Sequence, residues 1–209
     1  MIPHRTPTRS AASVVLTTAF VALAAASIGC GGGSSTTTTS GPTAKFTPDV
    51  ATPPAGTVAL LAGATSGASV DVRVTVTGVT SFFGAAFHIT YDTTALLFNG
   101  MTDTGSLLRA APVPDSTHLI FIEDHATTPG EIIITATRVD PTVAAPVAVT
   151  TTSDLVVLNF TARKALAVGA AAGRLDFGDP KQVCDGTVVV SGCNPIAVTW
   201  SGGGVSAQQ

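Results

Sequence analysis

Apolar and polar residues alternate without a break over Ser69–Thr77, where Val70, Val72, Val74 and Val76 interleave with Asp71, Arg73, Thr75 and Thr77. Neighbouring side chains of an extended chain point to opposite faces, so this pattern predicts a strand with one buried and one wet face. Ala85–Asp92 repeats it, with Phe87, Ile89 and Tyr91 facing inward and Ala86, His88, Thr90 and Asp92 outward. Leu155–Arg163 does so again through Val156, Leu158 and Phe160. Shorter apolar runs predict strands at Thr57–Leu61, Leu96–Met101, His118–Glu123, Glu131–Val139, Gly173–Phe177, Thr187–Val190 and Ile196–Trp200. Gly63–Gly67, Gly78–Ser81 and Thr93–Ala95 read as turns, and Asp124–Gly130 as a loop. Thr104–Ala111 reads as a loop or one helical turn, and Pro141–Thr152 as partly irregular. No helical periodicity of useful length appears. Turn signals fall about every eight to twelve residues, the spacing of an all-β, two-sheet sandwich of about nine strands.

The first 56 residues follow other rules. Met1–Arg9 carries His4, Arg5 and Arg9 and no acid, and Ala11–Ile28 is apolar, small and uncharged. Ser27-Ile28-Gly29-Cys30 then ends the run with a small residue before a cysteine, as in a bacterial lipobox, although Ser27 stands where Leu is usual. Residues 1–29 therefore read as a lipoprotein signal peptide and Cys30 as the lipidated residue. A plain signal peptide cut near Ala24–Ser27 and an uncleaved anchor helix are the alternatives. Gly31–Ser40 is GGGSSTTTTS, too poor in apolar surface to offset chain entropy. Residues 30–56 are thus expected to be a flexible tether and 57–207 the folded domain. Gly31 is not the Asp that retains some lipoproteins at the inner membrane, so the expected location is extracytoplasmic, at an outer membrane or cell surface.

Composition narrows the function. Charged residues are 11% of the 209, and the net charge is −3. With no basic patch, nucleic acid is excluded as a partner class, and the only membrane contact expected is the lipid anchor. Cys184 and Cys193 bracket Asp185-Gly186 and Ser191-Gly192, turn dipeptides that can bring the two sulfurs together. In an exported protein this reads as a disulfide, the alternative being two unpaired thiols.

The order of several segments resembles the cohesin domain, the module that binds dockerin domains in bacterial polysaccharide-degrading assemblies. Phe83–Asp92, ending in Tyr91-Asp92 and followed by Leu96-Leu97-Phe98, is similar to an aromatic strand, corner and Leu-rich strand of that family. Gly105-Ser106-Leu107-Leu108 resembles its Gly-x-Leu-Leu loop, and Ile120–Asp124 its apolar strand running into an acidic loop. Asp154–Arg163 and Val198–Val205 resemble a late hydrophobic strand and the closing strand. The resemblance implies a nine-stranded jelly-roll and a binding role through one sheet face and its bordering loops. It places Glu123 and Asp124 in the acidic contact loop, beside Ile120. Kinship of the fold with carbohydrate-binding modules keeps a polysaccharide ligand open.

Read for chemistry, the chain points to no enzyme. Glu123 and Glu131 are its two glutamates, and a Gly-x-Ser-x-Gly elbow is absent. His88, His118 and His125 with Glu123 and Asp124 lack the spacing of a zinc site, so neither a metal nor another cofactor is expected. The face bearing Ala86, His88 and Thr90 is flat, neutral and mildly apolar, which suits a protein partner as well as plain solvent. Trp200, the single Trp, is either a core residue or a platform for stacking a sugar ring. Three roles follow: docking a protein, binding a glycan, or a structural envelope domain.

Overall fold

The fold is described from a computed structural model, over residues 42–110, 116–142, 144–189 and 192–208. The leader, Cys30 and Gly31–Ser40 lie outside the described residues. Strands in chain order are β1 (Thr43–Pro48), β2 (Thr57–Ser66), β3 (Ser69–Thr77), β4 (Val79–Phe82), β5 (Gly84–Tyr91), β6 (Leu96–Thr102) and β7 (Leu119–Asp124). They continue as β8 (Glu131–Arg138), β9 (Val147–Val149), β10 (Ser153–Ala162), β11 (Arg174–Val189), β12 (Gly192–Ile196), β13 (Thr199–Ser201) and β14 (Gly203–Gln208). Among the described residues the helical elements are short 3-10 turns at Leu107–Arg109, Ser116–His118 and Ala171–Gly173.

The strands form two main sheets. One has the order β1-β14-β11-β5-β8-β7, with β12 paired to β11; the other has the order β13-β2-β3-β10-β6. A two-stranded ribbon of β4 and β9 stands apart. Pairing is antiparallel except between β13 and β2. The chain changes sheet at Gly202, since β13 pairs with β2 while β14 pairs with β1 and β11.

Period-two burial makes this a sandwich. On β3, Val70, Val72, Val74 and Val76 are wholly buried, as are Leu158 and Phe160 of β10. From the other sheet, Phe46, Phe87, Ile89, Ile132, Ile134 and Val205 join the same apolar cluster. Burying each such side chain stabilises the fold by about 1.5–3 kcal/mol. Ring contacts knit the layer: Tyr91 meets Phe160 edge-on with centroids 5.6 Å apart, and Phe98 lies 5.3 Å from Phe160.

Several expectations are corrected. The stretch read as tether, ahead of the start expected near Val58, holds strand β1. The physical reason is that Ala44 and Phe46 alternate with Thr43, Lys45 and Thr47, so the segment has a buried face of its own. Each of its six residues pairs with β14. The turn expected at Gly63–Gly67 shrinks to Gly67-Ala68, because β2 runs on through a bulge to Ser66. Gly173–Phe177 and Thr187–Val190 belong to one sixteen-residue strand, β11, over the described residues. Its register shifts between Gly178 and Gln182, where the cis Asp179-Pro180 bond lies, and a bulge is where a strand tolerates proline. On β3 the wet face holds Asp71 and Arg73, whereas Thr75 and Thr77 are buried. Their hydroxyls are satisfied there: Thr75 Oγ1 donates to the Ala59 carbonyl at 3.1 Å and Thr77 Oγ1 lies 2.9 Å from Thr152 Oγ1. A satisfied hydroxyl removes most of the penalty of burial.

One buried residue is a cation. Arg138 falls on the inward phase of β8 and is 1% exposed. Its guanidinium donates to the carbonyls of Leu108, Ala110 and Ala145, joining the 3-10 turn at Leu107–Arg109 to the segment before β9. Burial lowers its pKa. Among the described residues its hydrogen-bond partners are these three carbonyls, whose dipoles hold the charge.

Two stability changes follow. Phe46→Ala is expected to cost about 3–5 kcal/mol, the usual range for a buried aromatic truncated to Ala. A loss under 1 kcal/mol in urea unfolding would show that β1 is dispensable. Arg138→Met leaves carbonyls without donors and is expected to cost about 2–4 kcal/mol. An unchanged denaturation midpoint would contradict the bridging role.

Candidate functional site

The outer face of the first sheet is built by registry. On β8 the outward residues are Glu131, Ile133, Thr135 and Thr137, while Ile132, Ile134, Ala136 and Arg138 point inward. His88 lies opposite Ile133, Ala86 opposite Thr135, and Thr90 opposite Glu131. On the other flank Ile120 lies opposite Thr137, Ile122 opposite Thr135, and Asp124 opposite Ile133. Partners in register share a face, so Ala86, His88, Thr90, Ile120 and Asp124 come together on one side of the sheet.

The same registry takes Glu123 away. It is paired with inward Ile134, so its side chain is on the opposite phase from Ile120 and Asp124. Glu123 Oε1 sits 2.5 Å from His125 Nδ1, and the His125 ring meets Phe98 edge-on at 5.2 Å. An acidic pair of adjacent residues on a strand cannot share one face, and Glu123 is therefore a residue of the sheet edge.

Sequence reasoning missed the most exposed large apolar residue of the face. Ile122 is 54% exposed, more than Ile120 at 38%, and Ile133 beside it is half-buried. The signal was present in Leu119-Ile120-Phe121-Ile122: a strand apolar on both phases has one apolar side too many for a single core. Leu119 and Phe121 pack against the core, which leaves the two isoleucines outside. Ala86, His88, Ile133 and Thr135 also line a shallow depression closed on its far side by Pro180 and Gln182 of the β11 bulge.

Polar groups on this face are mostly engaged. His88 Nδ1 lies 2.5 Å from Glu131 Oε1, and both side chains are largely covered. Asp124 accepts from Thr127 Oγ1 at 2.6 Å, from the Ala126 amide at 2.9 Å and from the Thr127 amide at 3.3 Å. These bonds, that from Thr127 Oγ1 foremost, hold its carboxyl below the usual carboxylate range. Asp124 thus shapes the Asp124–Gly130 loop while bordering the face. The aliphatic side chains Ile120, Ile122 and Ile133 lie along β7 and β8, and the charged groups Glu131, His88 and Asp124 gather toward the Glu131 end.

The remaining candidates are placed as follows. Cys184 and Cys193 form a disulfide, with Cα atoms 5.5 Å apart, across the β11–β12 hairpin next to this face. Trp200 is half-buried, with its ring 4.8 Å from Phe177 and 5.9 Å from Phe87. That aromatic trio makes it a packing residue of the core. His88 and His125 are drawn to different glutamates. Among the described residues no three His, Cys, Asp or Glu side chains gather as a metal site.

Fold and face together define a jelly-roll β-sandwich with one open, mildly apolar sheet. A family model described as "Cohesin domain" matches residues 57–183. The chain belongs to the cohesin domain family. Similar solved structures include a type II cohesin domain from the cellulosome of Acetivibrio cellulolyticus, at 17% identity and a TM-score of 0.48, covering 79% of this chain and 95% of that one. The cohesin CaCohA2 of Clostridium acetobutylicum is 24% identical with a TM-score of 0.47, covering 78% and 88%. The sixth cohesin of scaffoldin B from A. cellulolyticus, solved in complex with a Cel5 dockerin mutant, is 17% identical with a TM-score of 0.47, covering 76% and 94%. No curated protein matches the chain.

Proposed function

We propose that this protein is a non-catalytic docking module that binds a protein partner through the outer face of β5, β8 and β7, while lipidated Cys30 holds it at the outer membrane or cell surface. The observation that carries the docking role is the exposure of Ile120 and Ile122 beside Ile133 and Ala86. Aliphatic side chains left in water on a flat sheet gain free energy when a partner covers them. An apolar centre with polar groups at its margin is the usual composition of such an interface. Membership of the cohesin family supports a dockerin-bearing protein of polysaccharide degradation as the partner. A non-catalytic role agrees with the use of both glutamates, each of which lies 2.5 Å from a histidine. The anchoring half of the proposal rests on the leader, on Gly29-Cys30, and on the Gly/Ser/Thr run that follows.

Binding of the purified domain to a panel of purified dockerins, measured by calorimetry, tests the docking role. Ile122→Asp is expected to weaken the best interaction about thirtyfold or more, the loss typical of a central hot spot, with the melting temperature unchanged. A panel that yields no binder, or an affinity insensitive to both Ile122→Asp and Ile133→Asp, overturns it. For the anchor, wild-type protein in a bacterial host should take up labelled palmitate and sediment with membranes, and Cys30→Ser should do neither. Identical fractionation of the two would refute lipid tethering.

A further inference from the structure

The opposite face of the sandwich carries a polar row that docking leaves unused. Asp71 of β3 pairs in register with Asn159 of β10, and Asn159 pairs with Gly100 of β6. Asn99 Nδ2 donates to Asn159 Oδ1 at 2.6 Å and to Thr161 Oγ1 at 2.9 Å, while Asn159 Nδ2 donates to Asp71 Oδ1 at 2.7 Å. Each amide is therefore fixed in orientation by its neighbour. Among the described residues Asp71 Oδ2 and Asn99 Oδ1 have no side-chain partner, and they remain free to meet a ligand.

Both flanks of the row are opened by bulges. The β2–β3 register shifts between Ala62 and Thr65, opposite Asp71. Gly63 lies in that bulge, and a Cβ there would come within 2.8 Å of Asp71 Cβ. Any other residue at position 63 would press on the Cβ and backbone carbonyl of Asp71. The β6–β10 register shifts between Asn159 and Phe160, which makes Asn99 the extra residue, followed by Gly100 at φ +138°. Bulges re-aim side chains, and here one turns an amide toward the row. The result is a depression of about 240 Å³ beside Asn99 and Val157 and a second one beside Thr65 and Ser66. Asp71 and Asn159 belong to both, so the two hollows form one trough across the sheet.

We propose that this trough is a second binding site, for a neutral hydroxyl-rich glycan chain. A sugar hydroxyl both donates and accepts; a carboxylate only accepts, and a carboxamide does each at fixed positions. Asp71 Oδ2 supplies the acceptor for a hydroxyl, and Asn99 supplies a carbonyl within reach of the same row. Val157 and Met101 provide an aliphatic wall for the C–H face of a ring. Anions are disfavoured by Asp71, and Arg73, two residues along β3, is engaged by Asp154 at 2.7 Å. The trough is open along its length, which fits a chain better than a compact solute. Since the site lies on the other sheet from Ile122, glycan and protein partner can be held at once.

Affinity electrophoresis of the purified domain in gels containing β-glucan, xylan, glucomannan or starch tests this, with polygalacturonate as the anionic probe. Retardation by at least one neutral polysaccharide is expected. Asn99→Ala and Asp71→Asn should each weaken it at least tenfold while leaving dockerin binding and the melting temperature as they are. Three results would overturn the proposal: no retardation by any neutral glycan, retardation by polygalacturonate alone, or retardation that survives both substitutions. Loss of dockerin binding has no bearing on these outcomes, so the two readings fail separately.

Discussion

Two sheets can stack only where every strand offers one continuous apolar face, and that constraint governs most of what this chain does. Val70 to Val76 on β3 and Ile132 to Ala136 on β8 meet across the layer because both keep strict period two. A slip of one residue in either would expose its whole apolar row. The registry that buries Phe87 and Ile89 also dictates that Ala86, His88 and Thr90 face water. Binding surfaces here are consequently by-products of core formation. What sits on them is free to vary, while what sits beneath them is not.

Departures from the alternation are where the chain handles what the sandwich alone would not tolerate. Arg138 occupies an inward position on β8, a place for Ile or Val, and its guanidinium is satisfied by carbonyls of two connecting segments. An unpaired buried charge would be prohibitive, whereas one surrounded by oriented carbonyl oxygens is supportable and fixes the loops that supply them. Asp49 and Arg174 do comparable work at the surface, where a two-pronged contact ties the end of β1 to β11. That guanidinium also holds the Asp49 carboxyl below the usual range. β1 is therefore secured by Phe46 from within and by Arg174 from outside.

Legibility followed the same division. The bounds of Ser69–Thr77 were readable because alternation is a local property, and Ala85–Asp92 was readable to within one residue at each end because it also carries a family pattern. β1 was not, since three polar residues, a proline and a preceding Gly/Ser/Thr run mask its two buried side chains. The extension of β11 through Pro180 was hidden because proline reads as a strand breaker unless the bulge that accommodates it is known. At the candidate site, Ala86, His88 and Thr90 followed from parity. Glu123 did not, because two adjacent acids look like one loop in sequence and become opposite faces in a strand. Ile122 went unnoticed because an isoleucine in an apolar run is normally taken as core.

The sandwich also explains how one small domain can present two unlike surfaces without conflict. Outward residues of β5, β7 and β8 are separated from those of β3, β6 and β10 by the whole apolar layer, so their compositions are selected independently. One carries exposed aliphatic side chains along β7, with its His–Glu pair at one end. The other is a hydrogen-bonded row of carboxylate, amide and hydroxyl groups. A surface of the first kind rewards exclusion of water over a broad, flat contact, which a folded partner supplies. The second kind rewards a ligand able to replace water bond for bond, since amides and carboxylates give up their hydration only for equivalent partners. Such different demands on one fold are compatible because the core between them transmits neither charge nor shape from one side to the other.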